Sequence, residues 1–340
     1  MPDTKIPAIS ILLPTYNGAR YLAEQLKSIL AQSFGDFELL IVDDGSVDAT
    51  GEIAAGFAQS DGRISIVPAE GNHGQKQRLI ELLELARAPL IAISDQDDVW
   101  HELKLERLLA TMSDAALSFG KSDLIDAAGI SLNRTLLDVL RSQRRSDDRL
   151  SLLFRPQVSG HAMLVRREFI PIRAFESPEP YDWMVSLVAQ FSTGIVYDDA
   201  AVVQHRIHGA NAHNGGVLIR MNPLRIRPRD VACSYKRARA WRRRFVERLE
   251  YLVASPQVPE IEHALFQAIS HQCRGEWLEP RRGDGGGGFR LRRMLLDSLR
   301  PFAGSARDWR VVVDYVTVLT LGLFHPLTVI RLLQSKCAGR

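Results

Sequence analysis

The sequence predicts an α/β protein built on a doubly wound, mainly parallel sheet, with a mostly helical C-terminal extension. Two observations carry this. Over the first hundred residues, short apolar runs alternate with stretches that repeat at helical spacing. Two of those apolar runs also end abruptly in acidic clusters, as strands do at the binding edge of an open parallel sheet.

The first strand is expected over Ala8–Leu13, followed by a turn at Asn17-Gly18. The apolar run from Ile6 to Leu13 is short and lacks a basic leader and a small-residue cleavage site, so it reads as a strand and not as a signal peptide. Leu22, Leu26, Ile29 and Leu30 then share one helix face. Phe37–Val42 is the second strand and ends in Asp43-Asp44-Gly45-Ser46; the helix after it has Ser46 or Asp48 in reach as a cap. Ile64–Val67 is the third strand, and Leu79, Leu82, Leu83 and Ala86 mark an inward helix face. Pro89–Ser94 is the fourth, running into Asp95, Asp97 and Asp98. Farther on, residues 158–165 read as a turn entering a strand, Tyr181–Gln190 as a helix with Asp182 in its first turn, and 195–208 as a strand ending in Arg206 and His208. Arg141–Arg149 reads as a loop or an exposed helical segment.

Composition bounds the function. The 340 residues are 46% hydrophobic and 24% charged, which excludes wholesale disorder and a multi-span channel. Cys233, Cys273 and Cys337 are too few and scattered for a disulfide framework or a Cys-rich zinc site, and suit a reducing cytosol. The net charge of +3 hides an asymmetry. Residues 1–215 hold 20 Lys/Arg against 29 Asp/Glu, net −9, whereas 216–340 hold 23 against 11, net +12. The division therefore expected is a domain over 1–215, with halves at about 1–115 and 116–215, and a basic helical region over 216–340 that could associate with a membrane. Its uncharged stretch Tyr315–Ile330 would reach about 24 Å as a helix, short of the ~30 Å hydrocarbon core. It reads either as a helix in the membrane interface or as a buried helix pair. Arg242-Arg243-Arg244 reads as a solvated helix face, and no nucleic-acid-binding module is recognisable.

The chemistry concentrates at the strand ends. Carboxylates crowded at Asp43/Asp44 and at Asp95/Asp97/Asp98 repel one another unless a cation joins them, so the two clusters, converging at one sheet edge, suggest a bound divalent metal. Asp-x-Asp alone also fits a solvated acidic loop. Tyr16 beside a carboxylate could stack on a base and accept from its N–H edge, and turn chemistry alone would equally explain Asn17-Gly18 and Asp44-Gly45.

Taken as an ordered set, Pro14-Thr15-Tyr16-Asn17, Val42-Asp43-Asp44-Gly45-Ser46, Gly71-Asn72-His73-Gly74 and Ser94-Asp95-Gln96-Asp97-Asp98-Val99-Trp100 resemble glycosyltransferase family 2, with its GT-A fold, over roughly residues 6–210. The acidic heptad, with Lys104 shortly after, is most similar to bacterial rhamnosyltransferases of O-antigen and surface polysaccharide synthesis. The resemblance implies a metal-dependent, inverting transferase that moves a sugar, L-rhamnose from dTDP-L-rhamnose, to a glycan or lipid-linked glycan. A UDP-hexose or UDP-galactofuranose is the alternative donor. It implies Mg²⁺ or Mn²⁺ at Asp97, with Asp95 and His208. It implies nucleotide-sugar binding by Pro14, Thr15, Tyr16, Asp44, Asn72, Lys76, Asp95, Gln96 and Arg206. Asp182 would be the catalytic base, and Gly160, His161 and Trp183 would lie on the acceptor side. His205-Arg206-Ile207-His208-Gly209-Ala210-Asn211 resembles the relatives' Tyr-Arg-Gln-His-Gly-Asn-Asn, with His205 in place of the aromatic residue. The implied setting is cytoplasmic, on the inner face of the membrane against anionic lipid, with no nucleic acid as partner. The rival readings are a sugar nucleotidyltransferase, against which stands the single Gly and absent Lys of Pro14–Gly18, and a non-catalytic basic binding protein.

Overall fold

The computed structural model describes residues 5–139, 152–153, 156–208, 243–260, 262–263, 266–267 and 270. The chain divides into two compact units, Met1–Arg144 with Pro156–Gly215, and Arg145–Arg155 with Gly216–Arg340.

The first unit holds one mixed sheet. Strands β1 (Ile9–Thr15), β2 (Phe37–Asp43), β3 (Ile64–Val67) and β4 (Leu90–Ile93) alternate with helices α1 (Ala19–Leu30), α2 (Thr50–Ser60) and α3 (Gln75–Leu85). After β4 the alternation breaks. A two-residue strand β5 (Val99–Trp100) precedes α4 (Lys104–Met112), so no helix follows β4 directly. Then follow β6 (Leu117–Ile125), β7 (Ser131–Thr135), α5 (Leu136–Val139), β8 (Met163–Arg166), α6 (Arg173–Glu176), α7 (Tyr181–Phe191) and β9 (Ile195–Arg206). The strand order is β3-β2-β1-β4-β8-β6-β9-β5, with β7 on β6. The pairs β3–β2, β2–β1, β1–β4 and β6–β9 are parallel, while β8, β5 and β7 run antiparallel to their neighbours.

Both faces of the parallel half are covered, which is why β1 is buried at all seven positions and reads as an unbroken apolar run. Ile9, Ile11 and Leu13 pack with Leu22, Leu26 and Ile29 of α1 and with Leu105 and Leu108 of α4. Helix α3 packs on the same strand and buries Leu79, Leu82 and Leu83. Helix α2 starts at Thr50, later than a cap at Ser46 would place it; Asp48 Oδ1 accepts from the Thr50 amide, while the Ser46 hydroxyl instead serves Asp43 and Asn17. Strand β9 bends past Gly120 of β6, where an added Cβ would stand 2.5 Å from Val202 Cγ1. That bend carries Arg206 back beside Ile125 and toward the acidic loop.

In the second unit, a helix over 243–253 buries Phe245, Leu249 and Leu252. No described helix is long and apolar enough to cross a membrane. The readings of Arg141–Arg149, Tyr315–Ile330 and Arg242 fall outside the described residues.

Candidate active site

Parallel register sets the site's floor. Thr15 of β1 lies opposite Asp43 of β2, and Leu12 opposite Ile93 of β4, so Tyr16, Asp44 and Asp95 all emerge at one carboxyl edge. Thr15 Oγ1 donates to Asp43 Oδ1 (3.0 Å) and to the Val42 carbonyl (3.3 Å) beside the buried Pro14. The Tyr16 side chain is 48% exposed, open for stacking. Its main chain is clamped by Gln96, whose Oε1 accepts from the Tyr16 amide (2.8 Å) and whose Nε2 donates to its carbonyl (2.9 Å). Gln96 therefore joins the acidic loop to the first turn, and its amide is not turned to a donor.

Asp44 is likewise committed inward. It is 4% exposed. Oδ1 accepts from the His73 amide and Arg78 Nε, both at 2.7 Å, and Oδ2 from the Gly74 amide at 2.8 Å. Burial pushes its carboxyl up, but these donors and the Arg78 charge outweigh that and hold it below its ordinary value. Arg78, 2% exposed, also donates to the Glu70 and Gly71 carbonyls and to Glu81. The pair organises the loop carrying Asn72, which is exposed at the edge. Lys76 also departs from its expected place on the nucleotide: Nζ donates to the Ser177 (2.6 Å) and Glu179 (2.8 Å) carbonyls and so ties α3 to the chain entering α7.

The acidic loop meets the end of β9. His208 Nε2 stands 2.8 Å from Asp97 Oδ2, with the His208 ring against Tyr21 at 5.0 Å. Burial raises the Asp97 carboxyl above its ordinary value, and the Asp95 and Asp98 charges add to this against the pull of His208. Such a carboxylate gains from a cation. Arg206, 1% exposed, does not face outward toward a diphosphate. It donates to the Asp97 carbonyl (2.9 Å), the Asp126 carbonyl (3.4 Å) and Glu24 (2.7 Å), and lies over Tyr21 at 4.6 Å. Arg206 thus positions the Asp97 backbone.

Asp95 receives Gln75 Nε2 on Oδ1 (3.1 Å), and its Oδ2 is 3.2 Å from His161 Nδ1. The His161 ring also meets Ser122 Oγ at Nε2 (2.9 Å), and its carbonyl accepts from the buried Lys104 Nζ (2.6 Å). At 6% exposure, both His161 and Trp183 lie inside the protein, Trp183 in the first turn of the largely buried α7.

Asp182 sits in the first turn of α7. Its Oδ1 accepts from the Trp183 amide (2.8 Å) and its Oδ2 from the Gly160 amide (3.2 Å). Burial raises its carboxyl above the ordinary value despite both amides and His161, and the Asp95 charge adds to the rise. Gly160 has no room for a Cβ, because the Tyr181 hydroxyl fills that place. Tyr181 is braced in turn by stacking on Phe175 at 5.2 Å. Gly160-His161 therefore carries Asp182 at one end and Asp95 at the other.

Several of these partners escaped the sequence reading. Gln75 and Ser122 carry no motif signal. Arg78 does leave a trace: a charged residue beside Leu79, one turn before Leu82, falls on the inward face of a helix.

Comparison with known proteins bears on the same segment. Residues 10–170 match the model of the family described as "Glycosyl transferase family 2". They form a family 2 glycosyltransferase domain. TuaG of Bacillus subtilis, described as a "Putative teichuronic acid biosynthesis glycosyltransferase", is 35% identical over 113 residues, covering 33% of this chain and 45% of that protein. The glycosyltransferase alr2836 of Nostoc, itself uncharacterised, is 30% identical over 221 residues, 60% of this chain and 66% of its own. The chain spans less than half the length of the first two curated relatives it matches. Residues 1–349 of S. aureus TarS, solved with UDP-GlcNAc, share the fold at a TM-score of 0.57 and 16% identity, over 98% of this chain and 92% of that one.

Proposed function

We propose that the protein is a metal-dependent, inverting glycosyltransferase that moves a sugar from a nucleotide-activated donor to a hydroxyl of a glycan in surface polysaccharide synthesis. The observation that carries this is the Gly160-His161 link. It sets a carboxylate with a raised pKa, Asp182, beside the carboxylate edge at which Asp97 pairs with His208. Transfer makes opposite demands at two places, a base for the incoming hydroxyl and positive charge for the departing diphosphate.

Asp97 and His208 fit a divalent ion in donor type. The Asp97 oxygen suits Mg²⁺ or Mn²⁺, the His208 nitrogen favours Mn²⁺ of the two, and the raised Asp97 carboxyl is relieved by a cation. Bound there, the ion supplies charge for the leaving diphosphate. This chain's residues do the rest. Tyr16 offers its exposed ring to the base. Gln96 and Arg206 hold the loop that aims Asp97. Lys76 anchors the entry to α7, and Asp182 takes the proton of the acceptor hydroxyl as its oxygen attacks the anomeric carbon. Direct displacement inverts that carbon.

The donor is proposed as dTDP-L-rhamnose, on the likeness of Ser94–Trp100 and Lys104 to rhamnosyltransferases. A UDP-sugar, a UDP-hexose or UDP-galactofuranose, is the second reading, favoured by the UDP-GlcNAc held by TarS. The acceptor is proposed as a lipid-linked glycan at the inner face of the cytoplasmic membrane, with the +12 region over 216–340 drawn to anionic lipid. The test is thermal melting with dTDP, UDP and GDP sugars, each with and without Mn²⁺. Selective, Mn²⁺-dependent stabilisation by dTDP-L-rhamnose is expected. Selective stabilisation by a UDP-sugar would move the assignment to the second reading, and no stabilisation by any sugar nucleotide would remove both.

A further inference from the structure

Asp97 and His208 leave a second group of ligating side chains unexplained. Asp95, Asp98, His161 and His205 each present one ligating atom, and those four atoms lie within 4.8 Å of one another. His161 Nδ1 is 3.2 Å from Asp95 Oδ2 and 3.8 Å from Asp98 Oδ2, and His205 Nδ1 is 2.9 Å from Asp98 Oδ1. Ligands at the corners of a tetrahedron with metal bonds of about 2.0–2.2 Å stand roughly 3.3–3.6 Å apart; the two separations from His161 Nδ1 lie on either side of that range, and the four ligating atoms, all within 4.8 Å of one another, would draw in around an ion. The two imidazoles stack at 4.4 Å with their planes 8° apart, so both δ nitrogens reach the same aspartate.

A separate observation points to a missing ligand. Asp98 is fully buried, and its Oδ2 has no hydrogen-bond partner among the described residues. A buried carboxylate oxygen left without a donor is costly, and a cation is what would satisfy it. The surroundings suit a metal. Ser122 Oγ holds His161 at Nε2, which in the tautomer donating to that hydroxyl leaves Nδ1 bare, the state a ligand needs. The Arg206 amide fixes Asp98 Oδ1, and Gln75 fixes the far oxygen of Asp95. Lys104, the buried cation nearby, is turned to the His161 carbonyl and the Trp100 ring and bonds neither aspartate.

We propose that Asp95, Asp98, His161 and His205 bind a second divalent cation of the zinc type, a structural ion distinct from the one at Asp97 and His208. Two nitrogens and two carboxylates gathered this closely are a zinc-like donor set, whereas Mg²⁺ and Ca²⁺ favour oxygen alone. The ion would knit β4's acidic loop, the Gly160-His161 turn and the end of β9 into one rigid floor. A proton on His205 is the competing occupant, and metal binding would displace it.

The test uses the full-length, tag-free chain. It is loaded with Zn²⁺ or Co²⁺, dialysed, and read by metal analysis and by the visible spectrum of the cobalt form, for the wild type, Asp97→Asn and His205→Gln. One retained equivalent, with the intense visible bands of four-coordinate cobalt, is expected in the wild type and in Asp97→Asn. His205→Gln should lose both while keeping the wild-type circular dichroism. A wild type that retains no metal and shows no such bands overturns the proposal whatever the variants do. Retention lost in Asp97→Asn but kept in His205→Gln overturns it as well, by placing the ion at the other pair. Donor binding is not part of the readout, so failure here leaves the transferase reading standing.

Discussion

At the scale of single residues, the account separates donor binding from proton removal. Asp97→Asn removes the carboxylate facing His208, so Mn²⁺-dependent donor binding and turnover should both disappear, as calorimetric titration and product analysis would register. Asp182→Asn should keep donor affinity and lower the transfer rate by ~10²–10⁴-fold. Near-normal transfer by that variant would place the base elsewhere. The pH profile follows from the direction of the shift. Burial raises the Asp182 carboxyl above 3.8, and only its ionised form accepts a proton. The rate at saturating substrate should therefore fall as pH drops through a value above 3.8, and this acid limb should vanish from the residual activity of Asp182→Asn. The existence of these carboxylates was legible in the sequence. Their individual commitments were not. Gln96, Asp44, Lys76 and Arg206 are each fixed by partners 29 to 182 residues away, and local pattern carries no record of such contacts.

At the scale of elements, burial decides which contacts matter. The Asp44–Arg78 pair is almost dry, with side chains 6% and 2% exposed. Arg78→Met strands the carboxylate and frees the Glu70 and Gly71 carbonyls, and should cost about 3–5 kcal/mol in denaturant unfolding. The linkage sign is that of a depressed acid. Asp44 contributes stability that is complete above its unfolded value of about 3.9 and is lost as pH falls through the lower folded value. That acid-dependent component should shrink in Arg78→Met, which leaves Asp44 only the His73 and Gly74 amides as donors. At the β6–β9 bend, Gly120→Ala should destabilise by about 1–3 kcal/mol through the clash with Val202, and adding Val202→Ala should recover part of the loss. In the parallel half, β1, β2 and β4 were readable as apolar runs buried on both faces, and the helices by their apolar faces. Of the antiparallel strands, β8 was read within residues 158–165, but β5 and β7 were not. β5 has two residues, too few for any period, and β7 is mostly exposed and polar.

At the scale of the whole molecule, charge divides the chain into an acidic and a basic part. The −9 of residues 1–215 against the +12 of 216–340 predicts that the full-length protein floats with anionic liposomes at low salt and is released as salt screens the attraction. Recovery in the soluble fraction at low salt would remove the membrane part of the account. The central claim is that two carboxylates divide the labour, Asp97 of the acidic loop with a dication for the donor and Asp182 of α7 for the acceptor. The most direct measurement is calorimetric titration of the preferred sugar nucleotide into wild type, Asp97→Asn and Asp182→Asn, with and without Mn²⁺. The account predicts Mn²⁺-dependent binding that Asp97→Asn abolishes and Asp182→Asn preserves. Binding that ignores Mn²⁺, or that survives Asp97→Asn unchanged, would contradict it.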